Sequence, residues 1–145
     1  MSNNESGNKI IQALNDGVQY EQPRHYDPVQ QIMLGAIRFW DTYQYMKNRN
    51  LKGFDGYTHA FANAEATKLG TYGEKTAEFL SGLKELHDAL KHSGKQPTID
   101  LVFDIQADID ADKYGREQAK KYPNAPTHEL LQKYWVKDET GQIAK

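Results

Sequence analysis

Residues 55–66 read DGYTHAFANAEA, and this stretch decides the fold. Asp55, His59 and Asn63 are separated by four residues each, so their side chains share one face of an α-helix. Four alanines follow His59 within the stretch, and such small side chains let neighbouring backbones approach closely. We therefore predict a helix that is joined to its neighbours by a polar network.

An acidic ladder follows downstream. Asp104, Asp108 and Asp112 repeat the spacing of four residues, and Asp100 extends the series by one turn. Adjacent carboxylates on one helix face repel each other by about 0.2–0.5 kcal/mol per pair. The ladder therefore predicts a compensating cation, and the candidates are His59, Lys113, Arg116 or a metal ion.

We interpret the two ladders as one structural polar network. In it, Asp55 caps the second helix, because an acidic side chain at a helix start accepts backbone N–H bonds. His59 and Asn63 bond across to Glu85 or Asp108, since an unpaired buried polar group costs about 1–3 kcal/mol. Arg116 neutralises Asp108 or Asp112. The predicted members are Asp55, His59, Asn63, Glu85, Asp108, Asp112 and Arg116.

A divalent-metal site is the alternative interpretation of the acidic ladder. Asp108 and Asp112 could form it with His59 or Glu85, and whether the ladder binds a metal is left open by the sequence. An EF-hand is excluded, because Lys113 stands where that loop requires glycine.

Composition narrows the function classes. The chain has 145 residues, enough for a single domain, with 38% apolar residues and a mean hydropathy of −0.84. A net charge of −2 gives no electrostatic basis for binding nucleic acid. The absence of cysteine excludes disulfides, thiolate catalysis and Cys-based zinc sites. Nucleotide-binding and nucleophile-elbow motifs are also absent, so no cofactor is predicted.

The N-terminus has neither a basic segment nor an apolar core of the kind that a signal peptide requires, and no apolar run approaches membrane-spanning length. We expect a chain that is cytoplasmic as synthesised. Export would use a signal-independent route or incorporation into a virion.

Helix start and stop signals predict an all-α bundle of four main helices. Asp27-Pro28 begins the first helix, Gly53 ends it, and an interruption of the fourth helix at Gly115 is left open. The predicted helices span 28–52, 55–68, 73–91 and 98–122, with a short final helix over 127–135. The predicted domain organisation is a polar arm with a short helical piece (1–26), the bundle (27–135) and a loose tail (136–145).

Apolar residues at helical spacing predict which face of each helix is buried. The predicted inner faces are Val29, Ile32, Met33, Ala36, Phe39, Trp40, Tyr43 and Met46 on the first helix; Ala77, Leu80, Leu83, Leu86 and Leu90 on the third; and Leu101, Val102, Ile105 and Ala111 on the fourth.

The same stretch carries a resemblance to a known family. The pattern runs from Trp40-x-x-Tyr43-x-x-Met46 through Asn50-x-x-Gly53-x-Asp55-x-Tyr57-x-His59-Ala60-x-x-Asn63 to Ala66-x-Lys68-x-Gly70-x-x-Gly73. It resumes as Ala107-Asp108-x-x-Ala111-Asp112-x-x-Gly115-Arg116. About half of the chain is covered, and the pattern resembles serum amyloid A.

That resemblance implies a four-helix bundle that oligomerises and binds lipid or small apolar ligands through an apolar first helix. The chain departs from the family pattern at Asp112, where asparagine is usual, and at Leu83-Lys84, where alanine-arginine is usual. Similar modules also occur in bacteria, including in polymorphic toxins, and the polar composition favours a bacterial or phage origin.

Two functions are compatible with these observations. The first is a non-enzymatic bacterial or phage interaction protein that self-associates and binds a protein or lipid partner through Phe39, Trp40, Tyr43 and Tyr45. The alternative is a secreted antibacterial effector with hydrolytic, metal-assisted chemistry. Its candidate catalytic residues are His59, Glu85, Asp108 and Asp112.

Overall fold

The computed structural model describes residues 25–49 and 55–135, with side chains for 25–45 and 55–135. Its elements are α1 (Pro28–Arg49), α2 (Asp55–Thr67), α3 (Thr71–His92), α4 (Thr98–Lys121), α5 (Thr127–Leu130) and a 3₁₀ turn (Gln132–Tyr134). Within these ranges there is no strand, and the predicted all-α bundle with four main helices is confirmed.

The helix starts have local causes. The backbone N–H of Gln30 donates to Asp27 Oδ1 at 2.8 Å, and the N–H of Asp27 donates to Gln30 Oε1 at 3.1 Å. This reciprocal capping precedes Pro28, as the sequence predicts. α3 begins two residues earlier than predicted, because Gln31 Oε1 on α1 accepts the N–H of Tyr72 at 3.0 Å.

Helix α2 is the centre of the bundle. It packs against α1, α3, α4 and α5, and every residue from Tyr57 to Thr67 is buried. A helix that is covered on all sides needs small side chains where its neighbours approach most closely. The alanines of α2 meet that need.

Two glycines on neighbouring helices allow this close approach. A Cβ atom at Gly115 on α4 would overlap the carbonyl oxygen of Ala60, and one at Gly73 on α3 would overlap that of Ala66. Helix α4 continues through Gly115 without the interruption that the sequence left open. The glycine is therefore a contact point between helices and not a break.

Two apolar clusters flank α2. One contains Tyr57, Ala60, Phe61 and Leu131, and the other contains Phe39, Ala62, Ala66 and Ala77. The C-terminal segment closes the first cluster, held by the Thr127 hydroxyl, which donates to Glu65, and by Lys68 Nζ, which donates to the carbonyl of Ala125 at 2.7 Å. Trp135 Nε1 donates to the carbonyl of His128 at 2.9 Å.

Half of the residues predicted to face inward, among those whose side chains are described, are instead exposed. The larger side chains of the predicted α1 and α3 faces are largely exposed, while the faces that pack on α2 present small and polar side chains. Close packing on an alanine-rich helix leaves no room for leucine or tryptophan, so these point outward. The misassigned residues are Val29, Ile32, Met33, Trp40, Leu83, Leu86, Leu90 and Val102. Phe39, Ala77 and Ala111 are buried as predicted.

Several predictions lie outside the described residues: the end of the first helix at Gly53, the inward side chain of Met46, nearly all of the arm, and the tail over 136–145. Where helix ends are described, they agree with the predicted ones to within two residues. The predicted final helix is instead α5 followed by the 3₁₀ turn.

Candidate functional site

His59 is the point at which α1, α2, α3 and α4 meet. The residue is 3% exposed, and its Nδ1 lies 2.9 Å from the hydroxyl of Tyr43 and 2.9 Å from Asp112 Oδ1. Its Nε2 lies 3.3 Å from Asp108 Oδ1, and Glu85 Oε1 lies 3.8 Å from Nδ1. We call His59, Glu85, Asp108 and Asp112 the His59 cluster. The structure thus brings together the four residues that the sequence offered as catalytic candidates.

Asn63 forms the second half of the polar interior, one turn further along α2. Its Nδ2 lies within hydrogen-bonding distance of Asp112 Oδ1 (2.8 Å), Ser81 Oγ (3.0 Å) and the carbonyl of His59 (2.9 Å). Its Oδ1 accepts from Ser81 Oγ at 3.2 Å and from Arg116 Nη1 at 2.7 Å. A side chain with two donors and one acceptor oxygen therefore links three helices.

The predicted role of Arg116 is wrong. Its guanidinium donates to Asn63 and lies 3.7 Å from Glu78 Oε1, and it forms no ion pair with Asp108 or Asp112 among the described residues. Arg116 lies one turn beyond Asp112 on α4, which places it beside Asn63 instead of beside the carboxylates.

The His59 cluster carries excess negative charge. Burial, and secondarily the carboxylate of Asp108, raises the pKa of Glu85 to about 7. Burial also raises the pKa of Asp108, although His59 and Lys84 oppose the change. Both carboxylate oxygens of Glu85 and Oδ2 of Asp112 are buried without a hydrogen-bond partner in the described structure. Three carboxylates therefore face one imidazole.

The rest of the acidic ladder lies apart from the cluster. Asp100 and Asp104 are exposed, and Asp104 accepts from Gln96 Nε2 at 3.2 Å. Asp110 accepts from Gln106 Nε2 at 2.8 Å on the surface. Asp55 is the exposed first residue of α2 and forms no hydrogen bond with the other predicted network members in the described structure. The buried part of the ladder is limited to Asp112 and, in part, Asp108.

An open cavity of about 820 Å³ reaches the cluster from the solvent. His59, Glu85 and Asp108 form part of its wall, together with Tyr43 and Asp55. A small ion in solvent therefore has a path to the cluster.

The geometry gives the hydrolytic alternative no support. His59, Glu85 and Asp112 are buried, and both imidazole nitrogens already face hydrogen-bonding partners. Ser81, the serine nearest to the cluster on α3, is buried and bonded to Asn63, so it does not act as a nucleophile toward a bound substrate. A hydrolytic site needs a base that reaches a bound substrate.

Reasoning from sequence missed Tyr43 and Ser81 as members of the polar interior. Burial and then the charge of Asp112 raise the pKa of Tyr43 well above its usual value, so its hydroxyl stays protonated. A signal for Ser81 existed: Ala77, Ser81 and Glu85 follow one another at a spacing of four residues and share the buried face of α3.

The aromatic residues predicted to bind a partner do not form one surface. Phe39 is buried in the core, Tyr43 bonds to His59, and Tyr45 packs against the Tyr57 cluster. Trp40 alone is exposed, at 64%. Around it lies what we call the α1 outer face: Val29, Ile32, Met33, Ile37 and Trp40.

Helix α3 carries a second exposed apolar face. Phe79, Leu83, Leu86 and Leu90, which we call the α3 outer face, follow at helical spacing and are between 48% and 71% exposed.

In the described parts of the chain, no helix is both long enough and apolar enough to cross a bilayer.

Comparisons with known proteins agree with the fold. A family model described as "Serum amyloid A protein" matches residues 26–134. The chain is 37% identical over 98 residues to the serum amyloid A protein of Notamacropus eugenii, covering 68% of this chain and 71% of the relative. It is 31% identical over 100 residues to the serum amyloid A-5 protein of Mesocricetus auratus, covering 69% of this chain and 86% of the relative. No solved structure matches the chain.

The matching curated relatives are all from vertebrates, so they give no support to the predicted bacterial or phage origin. The family itself rests on a model that matches three quarters of the chain, over the same residues that form the bundle and its polar interior. The chain belongs to the serum amyloid A family.

Proposed function

We propose that this chain is a non-enzymatic protein that self-associates through the α1 and α3 outer faces. Family membership supports a non-enzymatic role. The observation that carries the proposal is the exposure of Phe79, Leu83, Leu86 and Leu90 along one side of a single helix. Contiguous exposed apolar surface of this kind marks interaction sites.

Self-association is favoured because these exposed side chains still gain free energy when they are buried. Full burial of one leucine or phenylalanine contributes about 1.5–3 kcal/mol, and folding of the single chain leaves most of that unrealised on α3. Association must also overcome lost translational and rotational freedom, so only part of this appears as affinity. A contact between two copies recovers this free energy from the apolar side chains of both chains.

A second copy of the chain is the partner that fits best. The same chain presents two apolar outer faces, on α1 and on α3, so two copies offer each other complementary surfaces without any additional component. A contact of like faces closes a two-fold dimer, whereas a contact of α1 with α3 forms a ring or extends into a filament.

A lipid surface or a partner protein would compete for the same faces. An amphipathic helix binds a bilayer interface with its apolar side, aided by basic residues, and α3 carries exposed Lys75 and Lys91. A bacterial or phage source and a cytoplasmic location as synthesised remain predictions.

Sedimentation velocity over a range of concentrations tests self-association. The wild-type chain is expected to form oligomers that dissociate on dilution. The double variant Leu83→Glu/Leu86→Glu is expected to sediment as a monomer at every concentration. The control Lys75→Gln/Lys91→Gln changes the net charge equally and should associate like the wild type. A wild-type chain that is monomeric throughout would contradict the proposal.

Flotation with anionic vesicles tests the competing partner. Vesicles that capture the chain and dissolve its oligomers would show that lipid covers the same faces. Binding that persists in Leu83→Glu/Leu86→Glu would show instead that the α3 outer face is not the lipid-binding surface.

A further inference from the structure

Three potential metal ligands from three helices converge inside the bundle. His59 on α2, Glu85 on α3 and Asp112 on α4 each place a ligand atom within 4.8 Å of the other two, and all three residues are buried. One imidazole with two carboxylates is a donor set that suits a divalent transition-metal ion such as Zn²⁺.

A second observation points to a ligand independently of the residue types. The side chain of Glu85 is only 9% exposed, both of its carboxylate oxygens lack a hydrogen-bond partner in the described structure, and Oε1 faces Nδ1 of His59 at 3.8 Å. Asp112 Oδ2 is also buried without a partner. Buried carboxylate oxygens are nearly always hydrogen-bonded or coordinated, so three unpartnered oxygens beside one imidazole call for a cation.

The two separations measured from Nδ1 of His59 bracket the value that such an ion requires. Bonds of about 2.0–2.2 Å in tetrahedral geometry place neighbouring ligand atoms about 3.4 Å apart. The observed separations from His59 Nδ1 are 2.9 Å to Asp112 Oδ1 and 3.8 Å to Glu85 Oε1, one shorter and one longer than this value. Side-chain adjustments of a few tenths of an ångström would bring both into range.

The surroundings supply the supporting contacts that metal sites need. Asp108 Oδ1 lies 3.3 Å from Nε2 of His59, so it can accept a hydrogen bond from Nε2–H while Nδ1 faces the ion. Asn63 Nδ2 donates to Asp112 Oδ1 at 2.8 Å and fixes that carboxylate. The cavity that reaches His59 and Glu85 provides the entry path and room for a water as fourth ligand.

We propose that His59, Glu85 and Asp112 bind one divalent transition-metal ion of the Zn²⁺ class, with Asp108 orienting the imidazole. The ion ties α2, α3 and α4 together and neutralises the excess negative charge of the His59 cluster. This role does not depend on the proposed self-association, because the site is internal and contains no residue of either outer face. Calcium and magnesium are disfavoured, since they prefer six or more oxygen ligands or several retained waters.

Calorimetric titration of the EDTA-stripped chain with ZnCl₂ tests the site. The measurements use a His87→Gln/His92→Gln background, because these exposed histidines on α3 could bind zinc at the surface. We expect one ion per chain, and a loss of about tenfold or more in affinity for Asp112→Asn and for Glu85→Gln. Asp104→Asn, at an exposed position on the same helix as Asp112, should leave the affinity unchanged.

Co²⁺ in place of Zn²⁺ keeps the test decisive if a variant folds poorly. A wild-type complex with the strong visible absorption of low-coordinate Co²⁺, displaced by one equivalent of Zn²⁺, supports the site. An absence of zinc binding in the parent background overturns the proposal. So does equal affinity in the parent, Asp112→Asn and Glu85→Gln, when circular dichroism shows that all three are folded.

Discussion

The two sides of α3 differ in chemical character. Gly73, Ala77, Ser81 and Glu85 face α2 and are buried, whereas Phe79, Leu83, Leu86 and Leu90 face solvent. Burial of large apolar side chains is ordinarily the main source of stability. Here the buried side of α3 contributes close backbone contact and hydrogen bonds, and the apolar area is left for association.

The two faces of α3 therefore have different roles, one in packing within the chain and the other in association. The inner face determines how close the helices lie and which polar atoms meet, so small changes there should destabilise the chain. The outer face contributes little to the folded monomer, so large changes there should be tolerated. Substitutions on the two kinds of face test the contrast directly, and the expected effects run from several kcal/mol to almost none.

Gly115→Ala should have the largest effect. The added methyl group would overlap the carbonyl oxygen of Ala60, and a backbone atom of a buried helix cannot move aside cheaply. We expect a loss of about 3 kcal/mol or more in the free energy of unfolding, measured by urea denaturation. Gly82→Ala is the control, because nothing lies near its Cβ position, and it should be neutral or stabilising by up to about 1 kcal/mol. Equal effects at the two glycines would contradict the close approach of α4 to α2.

Asn63→Ala should have the next largest effect. The substitution removes partners from Arg116, Ser81 and Asp112, two of which are buried. Leaving such groups unsatisfied should lower the free energy of unfolding by about 2–3 kcal/mol. Gln106→Ala removes a surface hydrogen bond to Asp110 and should change stability by less than about 0.5 kcal/mol. A similar loss in both variants would show that the polar interior is no more important than the surface.

The pH dependence of stability should reveal Glu85. Its pKa is raised from 4.5 to about 7 in the folded state, so between these values the folded chain binds more protons than the unfolded chain. Stability from this group is therefore fully present below pH 4.5 and is lost as the pH rises through about 7.

We expect the metal-free wild type to lose about 2 kcal/mol relative to Glu85→Gln between pH 5 and pH 8, measured by denaturation in EDTA. Glutamine imitates the protonated acid, so the variant removes this contribution and leaves other titrations in place. A constant difference between the two proteins over that range would contradict the raised pKa.

The outer face should show the smallest effect on the monomer. In dilute solution, Leu83→Glu/Leu86→Glu should change the free energy of unfolding by less than about 1 kcal/mol, because about half of each side chain already lies in water. Thermal unfolding at a concentration where the wild type is also monomeric provides the measurement. A loss as large as that of Gly115→Ala would show that these leucines belong to the core.

The existence of the helices could be predicted from the sequence because their ends are coded locally. Asp27 and Pro28 mark the start of α1, and Gly70 marks the end of α2. The buried faces could not be predicted in the same way. An apolar stripe shows that a helix is amphipathic, but it does not show which face of the helix packs against its neighbours. In this chain the alanines of α2 select small residues, so the apolar stripe of α3 points away from the core.

The polar interior was predictable only in part. Residues four apart on one helix share a face, which identified His59 with Asn63 and Asp108 with Asp112. Which side chains pair between helices depends on the relative register of those helices. The spacing of residues within one helix gives no information on that register. For that reason the spacing pairs Arg116 with the aspartates, although the structure places it beside Asn63. It also predicts a partner-binding role for Tyr43, although Tyr43 bonds to His59.

The two tryptophans of the chain lie in different environments, so their fluorescence can distinguish association from unfolding. The indole of Trp40 lies in solvent on the α1 outer face, while that of Trp135 stacks on His128 in the segment that closes the core. Fluorescence of a Trp135→Phe protein therefore reports what covers α1, and fluorescence of a Trp40→Phe protein reports detachment of the C-terminal segment. The chain carries separate intrinsic reporters for assembly and for the opening of its bundle.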